Sequence, residues 1–416
     1  MAEKFLLFVA FVISSGMSCH AQEPARFPLS PASGVENEPD WQAHSQKLTP
    51  GCEHPWSVKT FTLNGGRQQG VKTIVVNNGE IEIVLCPTRG MGILSVKRGD
   101  LWLKWDSPVK EIVHPQFVNL SSRGGLGWLE GFNEFMCRCG LESNGHPGTD
   151  RFINNVGDEA EMELTLHGKI SNIPASDVEV VIDRTAPYAI HVKAQVTERF
   201  MFGPKLELHT ELIVLPGEST FEIVDEIKNT GAQDQEFQII YHANFGSPLL
   251  EEGARVLAPA SKIEPFNDRA AEGIDNWNTY DAPTTGFVEQ VYLLTPRADE
   301  NNRTTALIHS KAMDRAASIS WSLDQLPYLT VWKNTGAKED GYVTGIEPGT
   351  NYPNNRSVER KAGRVPILKP GQSRKMSLTF GLHNGADEVN EAITIVNALG
   401  WAREGVDSPS VEVRKQ

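Results

Sequence analysis

Hydrophobic and polar residues alternate in many short segments of the chain. Residues 190–196 alternate strictly, residues 221–227 form a further strand candidate after the turn Pro216-Gly217, and the apolar runs 73–77 and 81–85 flank the pair Asn78-Gly79. Strict alternation places successive side chains on opposite faces of a strand, so each segment predicts a strand with one buried face. An Asn-Gly pair between two such runs is typical of a β-hairpin turn.

Further strands are predicted along the whole chain, whereas helical patterns are rare. The additional strand segments are 206–210, 237–241, 286–294, 304–309, 317–321, 329–333 and 375–382. One helix is predicted at 386–399, where Asp387 is placed to cap the N-terminus and apolar residues recur at helical spacing. Because no long helical segments separate the strands, the fold class is predicted to be all-β, a large and mainly antiparallel sandwich or barrel with few short helices.

The pattern divides the chain into three parts. Residues 1–21 are typical of a secretory signal peptide, with Lys4, an apolar run and small residues before a cleavage site placed after Ala21. Residues 22–55 are rich in Pro, Ser and Glu and predict a linker or N-terminal arm. Residues 56–416 then form one β-sandwich domain.

We expect an exported protein, periplasmic or extracellular. Lipid modification of Cys19 ranks second, because Gly16 stands where that motif usually carries a bulky aliphatic residue.

Charge narrows the range of partners. Lys and Arg total 39 and Asp and Glu total 53, which gives a net charge of −14. Nucleic-acid binding needs clustered basic residues, and docking on anionic lipid needs them too, so neither is expected. Beyond the first residues no segment is long and apolar enough to cross a membrane. The expected partner is a small molecule, and the sequence leaves the oligomeric state open.

Four cysteines follow the predicted signal peptide: Cys52, Cys86, Cys137 and Cys139. An exported protein meets an environment that permits disulfides, and four cysteines allow three pairings, among which the sequence does not choose. The spacing of Cys137 and Cys139 is one residue short of the usual zinc knuckle, and no second pair follows. We favour buried free thiols.

Two glycine-rich segments carry candidate binding residues. Arg89 lies in a glycine-flanked turn after a strand, where its guanidinium could contact sugar hydroxyls or a carboxylate. Taken alone, a surface arginine is the commoner interpretation. Trp128 lies in the segment 124–131, where glycines allow close backbone approach and an indole could stack on a sugar ring. A tryptophan packed in the core is the equally weighted alternative.

Three further segments place polar side chains at predicted strand ends. His167 follows an apolar strand, His242 follows the strand 237–241, and Asn244 shares the face of His242. Glu347 precedes Pro348-Gly349, and this pair predicts that the strand ends there. If the surroundings of Glu347 are dry, its pKa is raised, which suits a general base. Each residue alone is more often structural. The wide sequence separations of His167, His242 and Glu347 give no support to a metal site.

These segments together resemble the aldose 1-epimerase (galactose mutarotase-like) superfamily, and within it a bacterial branch of unknown function (DUF4432-type). The resemblance rests on five motifs: Arg89-Gly90-Met91-Gly92 and the segments 139–145, 166–172, 241–249 and 345–350. It implies a β-supersandwich that needs no metal or cofactor. It also implies that His167 binds the sugar, that His242 is the general acid and that Glu347 is the base.

On this resemblance the predicted function is an isomerase that interconverts sugar anomers by acid–base ring opening. His167, Arg89 and Asn244 would orient the hydroxyls, and Trp128 would stack on the ring. Two alternatives stay open. One is a carbohydrate-binding protein without turnover on the same scaffold. The other is a lyase or epimerase for modified or acidic sugars, which Arg89 and Lys333 would support if both faced the pocket.

Overall fold

The computed structural model describes residues 22–30 and 40–400. The predicted signal peptide, with Cys19, lies outside the described residues. The strands are β1 (Ala25–Ser30), β2 (Gln42–His44), β3 (Ser57–Thr62), β4 (Lys72–Asn77), β5 (Glu82–Cys86), β6 (Gly92–Arg98), β7 (Leu101–Leu103), β8 (Met136–Leu141), β9 (Gly148–Ile153), β10 (Glu159–Leu164), β11 (Ser176–Ile182), β12 (Ile190–Arg199), β13 (Lys205–Val214), β14 (Thr220–Asn229), β15 (Gln235–Glu236), β16 (Gln238–Phe245), β17 (Arg255–Leu257), β18 (Ala260–Pro265), β19 (Gln290–Pro296), β20 (Arg303–His309), β21 (Arg315–Ser322), β22 (Tyr328–Thr335), β23 (Tyr342–Gly349), β24 (Ile367–Leu368) and β25 (Ser373–Asn384). The α-helices are α1 (Ser45–Leu48), α2 (Ser122–Gly125), α3 (Asp268–Ala271), α4 (Arg356–Lys361) and α5 (Ala386–Ala398).

Two large sheets carry the fold. One has nine strands in the order β1-β11-β12-β13-β14-β25-β21-β20-β17. The other has twelve, in the order β18-β19-β22-β23-β16-β8-β6-β5-β4-β3-β2 with β7 beside β6. Their strands pair antiparallel, as the short spacing between predicted strands indicates. The predicted hairpin around Asn78-Gly79 is confirmed, since β4 and β5 pair with Asn77 opposite Glu82.

The apolar faces of the two sheets pack against each other and form the main core. A buried ion pair crosses this core. Arg138 on β8 donates to both carboxylate oxygens of Asp225 on β14, at 2.5 and 2.9 Å, and Tyr241 donates to the same carboxylate at 2.9 Å. Removing one partner of such a pair would leave an uncompensated buried charge, which typically costs about 3–5 kcal/mol. The network therefore fixes β8 and its neighbour β16 relative to the nine-stranded sheet.

Two strand ends differ from the sequence predictions. Strand β16 runs on through His242 and Asn244 to Phe245, so these residues lie within the strand and not after it. Strand β23 includes Pro348 and Gly349, although a proline was expected to end it. A proline lacks only one backbone N–H donor. Pro348 lies between the pairs Ile240↔Gly349 and Ala243↔Ile346, where the pairing of β23 with β16 is interrupted. The strand tolerates Pro348 because its missing donor falls in that gap.

Two described stretches of the segment 22–55, which was predicted as a linker or N-terminal arm, pair with strands of the body. Strand β1 extends the nine-stranded sheet by pairing with β11, and β2 extends the other sheet by pairing with β3. Ala25 and Ala43 are buried in the main core. Backbone ladder bonds thus order two short stretches whose side chains show little periodicity.

Helix α5 lies where a helix was predicted and packs Val389, Ala392 and Val396 against the outside of the nine-stranded sheet. The predicted cap is wrong: the N-cap is Gly385, and Asp387 lies in the first turn. Among the described helices, none combines the length and the apolar character that a membrane span requires. The four described cysteines are free thiols, and Cys86, Cys137 and Cys139 are buried as predicted.

Candidate active site

His242 and Glu347 lie directly opposite each other on neighbouring strands. The pairs Ile240↔Gly349 and Ala243↔Ile346 bracket them and set the register of β16 against β23. Both side chains point to the outer face of the twelve-stranded sheet, since the alternate residues Tyr241, Ala243 and Ile346 belong to the core between the sheets. The Nε2 atom of His242 lies 3.3 Å from Oε1 of Glu347. Strand register therefore builds an acid–base pair from residues far apart in sequence.

The same face supplies the neighbours of this pair. Thr330 on β22 is the register partner of Glu347, and Asn244 lies one pleat beyond His242, opposite Gly345. A Cβ at Gly345 would come within 2.2 Å of Oε1 of Glu347 and 3.3 Å of Cε1 of His242. Only glycine leaves the space that the two side chains occupy.

An aromatic cluster covers the pair. The His242 ring lies 5.3 Å from Phe132, 5.6 Å from Trp332, 5.9 Å from Trp128 and 5.1 Å from His167, measured between ring centroids. These contacts belong to a second hydrophobic cluster, on the outer face of the sheet. His242 is 3% exposed and Glu347 2%, so the pair lies in a dry environment.

His167 reaches the pair from a loop. Its backbone has φ 58, in the left-handed region, and its N–H donates to the carbonyl of Gly145 at 3.0 Å. Its Nδ1 lies 3.0 Å from the carbonyl oxygen of Asn144, which can only accept a hydrogen bond. The proton of the neutral ring is therefore on Nδ1, and Nε2 keeps a lone pair that can accept a bond from a hydroxyl.

Arg89 is buried beneath the loop that carries the aromatic cover, and the interpretation as a surface arginine is wrong. Its Nε donates to Glu134 at 2.5 Å, and its Nη1 donates to the carbonyl of Val113 and to Asn172. Neither side chain of the Arg89–Glu134 pair is exposed. Three protein acceptors hold the guanidinium against the segment around Glu134, while its Nη2 is buried without a partner among the described residues.

Trp128 is 1% exposed, and its Nε1 donates to the Ser171 hydroxyl at 2.8 Å. The indole therefore forms a wall of the site and is fixed in place. Trp332 is only partly buried and lies at the open side of the cluster. Of the two rings, Trp332 is the better placed to meet a ligand from solvent.

Lys333 points to the opposite face of the sheet from Glu347. Its ammonium donates to the carbonyls of Asn276 and Thr279 at 3.1 and 2.6 Å. The condition set for an acidic sugar, that Arg89 and Lys333 both face the pocket, is not met. This result removes the main sequence argument for a carboxylated substrate.

Burial shifts the titration of the site in a consistent direction. It lowers the pKa of His242 well below its usual value, the His167 ring lowers it further, and Asn244 opposes part of the shift. Burial and the nearby Glu289 raise the pKa of Glu347 well above its usual value. Burial also lowers the pKa of His167 to about 4, although its bond to Asn144 acts the other way. The free site therefore favours a neutral imidazole beside a protonated carboxyl.

Several polar atoms in the site lack a protein partner. Among the described residues, four such atoms lie on the pair and on the two residues beside it: Nδ1 of His242, Oε1 of Glu347, Oδ1 of Asn244 and Oγ1 of Thr330. Buried polar groups are nearly always hydrogen-bonded, and an unmade bond costs about 1–3 kcal/mol. Unpartnered polar atoms on neighbouring residues of one sheet face are typical of a site that is completed by a ligand rich in hydroxyl groups.

Four residues of the site were not predicted from the sequence: Thr330, Trp332, Phe132 and Gly345. Thr330 and Trp332 are alternate residues of a predicted strand, so the sequence indicates that they share a face. It does not indicate which strand pairs with the strand of Glu347. In the described part of the chain, no three His, Cys, Asp or Glu side chains are spaced to hold a metal ion, His167, His242 and Glu347 included.

Comparison with known proteins places this fold in a family. Residues 68–382 match the family model described as "Domain of unknown function (DUF4432)". The chain belongs to the DUF4432 family. A Klebsiella pneumoniae protein, described provisionally as an aldose 1-epimerase, is 42% identical, with a TM-score of 0.84 over 90% of this chain and 96% of that one. No protein among those of curated function matches.

Two structures with lower sequence identity share the fold of this chain. A galactose mutarotase-like protein from Clostridium acetobutylicum is 16% identical, with a TM-score of 0.51 over 79% of this chain and 98% of its own. A protein from Synechocystis is 15% identical, with a TM-score of 0.52 over 78% of this chain and 98% of its own. The predicted fold class, an all-β galactose mutarotase-like sandwich, is confirmed.

Proposed function

We propose that this protein is a carbohydrate isomerase that exchanges the α and β anomers of a free sugar at the His242–Glu347 pair. The observation that carries the proposal is the buried acid–base contact of 3.3 Å, surrounded by polar atoms that lack partners. The likeness to the Klebsiella pneumoniae protein supports the same reaction class. The fold by itself does not support a particular reaction, since one scaffold serves many functions.

The geometry suits the two proton transfers of anomer exchange. Glu347 accepts the proton of the anomeric hydroxyl while His242 donates a proton to the ring oxygen. The bond between the anomeric carbon and the ring oxygen breaks, and the anomeric carbon becomes a carbonyl. These two oxygens are bonded to the same carbon, so an acid and a base that lie side by side serve both. Rotation of the carbonyl and closure on its other face, with both transfers reversed, gives the other anomer.

The reaction needs one proton shared by the pair. Burial favours that proton on Glu347, and the contact with Nε2 gives it a direct path to His242. Sugar hydroxyls that bond to the unpartnered atoms stabilise the resulting imidazolium and carboxylate. Ring opening then returns the pair to its neutral form, so the dry surroundings favour the open-chain intermediate.

His167 and Asn244 complete the proposed sugar contacts. Nε2 of His167 accepts one hydroxyl, and Oδ1 of Asn244 accepts another. Arg89 acts through Glu134: the backbone carbonyl of Glu134 receives the Asn244 amide at 3.0 Å, so the buried ion pair sets the orientation of Asn244. Trp128 holds the apolar wall behind His242.

The test is proton NMR exchange spectroscopy of anomers over a panel of aldoses and uronates. The native protein should accelerate exchange of at least one neutral aldose, and His242→Ala should lose this effect while keeping its fold. His209→Ala is the matched control, because His209 is exposed on β13. If some sugar raises the melting temperature but no sugar exchanges faster, the protein is a carbohydrate-binding module and the proposal is wrong.

A further inference from the structure

We infer that the site takes a sugar carrying a second sugar residue, which sits in a slot between Trp332 and Phe266 at the open edge of the sheet. This inference rests on the proposed function and names its substrate class: oligosaccharides with a free reducing end, not monosaccharides alone.

The direction in which a substituent must leave the site follows from its walls. Trp128, Phe132 and His167 are at most 9% exposed, and the Arg89–Glu134 pair closes the base of the same loop. Trp332 is the partly exposed member of the ring of aromatic and imidazole side chains around His242. A group attached to the bound sugar therefore projects past Trp332.

Strand register places a second aromatic residue along this path. Trp332 is the register partner of Val291, and the carbonyl of Val291 accepts the N–H of Phe266 at 2.9 Å. Phe266, Val291 and Trp332 thus form one row across adjacent strands, and the core position of Tyr292 puts Val291 on the outer face. Two strand spacings separate the aromatic residues, roughly 9–10 Å. Val291 between them is the smaller side chain, and we place the second sugar ring over it.

The slot has polar groups at its mouth. Glu289, which is exposed, accepts the Trp332 Nε1–H at 2.8 Å. The His146 ring stacks on Phe266 at 5.0 Å with an interplanar angle of 19°, and so holds that ring in place. Aromatic faces with a carboxylate beside them match a neutral sugar, which presents apolar C–H faces and hydroxyl donors. A free anomeric hydroxyl is needed at Glu347, so the link must come through another hydroxyl of the first ring.

The experiment compares monosaccharides with disaccharides of the same reducing unit by NMR exchange: glucose with maltose and cellobiose, and galactose with 4-linked galactobiose. We expect kcat/KM to be roughly three- to tenfold higher for a disaccharide, the range of one aromatic stacking contact. Phe266→Ala should remove this preference and leave monosaccharide exchange unchanged. Phe61→Ala is the control, since Phe61 is 44% exposed and lies on the distant strand β3.

The outcomes separate this inference from the proposed function. Monosaccharide exchange without a disaccharide preference overturns the second subsite and leaves the isomerase intact. An equal loss for both sugar classes in Phe266→Ala, and in the milder Phe266→Leu, assigns Phe266 to the fold and also overturns the subsite. If no sugar exchanges, both proposals are wrong.

Discussion

Replacing Glu347 by glutamine tests the electrostatic account of the site, because it should lower activity and raise stability together. The carboxyl is 2% exposed, and its Oε1 has no hydrogen-bond partner among the described residues. The amide of Glu347→Gln can donate to Nε2 of the neutral His242 across the same 3.3 Å contact. The protonated carboxyl can donate to the same atom, so the stability advantage of glutamine arises above pH 4.5, where the unfolded chain ionises, and amounts to about 1.4 kcal/mol for each pH unit up to the folded pKa. Loss of the base should slow anomer exchange by about 10²–10⁴-fold.

The pH dependence makes the prediction specific. Since burial raises the pKa of Glu347 above the ordinary carboxyl value of 4.5, the folded protein keeps this proton to a higher pH than the unfolded chain does. Its contribution to stability is full below pH 4.5 and declines as the pH rises towards the folded pKa. Glutamine does not titrate, so the stability gain of Glu347→Gln should grow between pH 5 and pH 8.

The assay is thermal and denaturant unfolding at several pH values, alongside NMR exchange with the sugar that the native protein prefers. Glu159→Gln is the matched control, because its side chain is 66% exposed on the β9–β10 hairpin. A stability difference that is negative, or that does not change between pH 5 and pH 8, would refute the account of a dry carboxyl. Full exchange activity in Glu347→Gln would refute its role as the base.

Three further results are expected. The pH profile of kcat/KM should be bell-shaped with a broad plateau, because the lowered pKa of His242 and the raised pKa of Glu347 widen the range in which the pair holds one proton; a narrow optimum would contradict this. Asp150→Asn should lower the free energy of unfolding by about 2 kcal/mol at pH 7. Burial raises the pKa of Asp150, but hydrogen bonds from Arg360 and Arg356 outweigh it and lower that pKa to about 2. Urea unfolding should therefore show the difference between the variant and the native protein vanish as the pH falls from 3.8 to 2. A thiol reagent should leave Cys86 unmodified until the protein unfolds, because burial raises the pKa of that thiol to about 12, and rapid labelling in native buffer would show otherwise.

Much of the architecture was readable because alternation is a local property. The hairpin of β4 and β5, the strands β12 and β14 and the helix α5 all appear where apolar residues recur at the period of that element. Strand ends were less readable. Pro348 was expected to end β23, but the gap in the pairing with β16 removes the cost of its missing N–H, and no local pattern reveals such a gap.

The sequence by itself determined an antiparallel β-sandwich, its family resemblance, and the chemical types at His167, His242 and Glu347. Tertiary structure decided what these residues meet. Register across β16, β23 and β22 placed His242, Glu347 and Thr330 side by side, and packing turned Arg89 inward onto Glu134. The physical reason is that a side chain's type and face follow from local sequence, whereas its neighbours depend on which strands pair and in what register. Burial, and with it the pKa of every group in the site, follows only from that pairing.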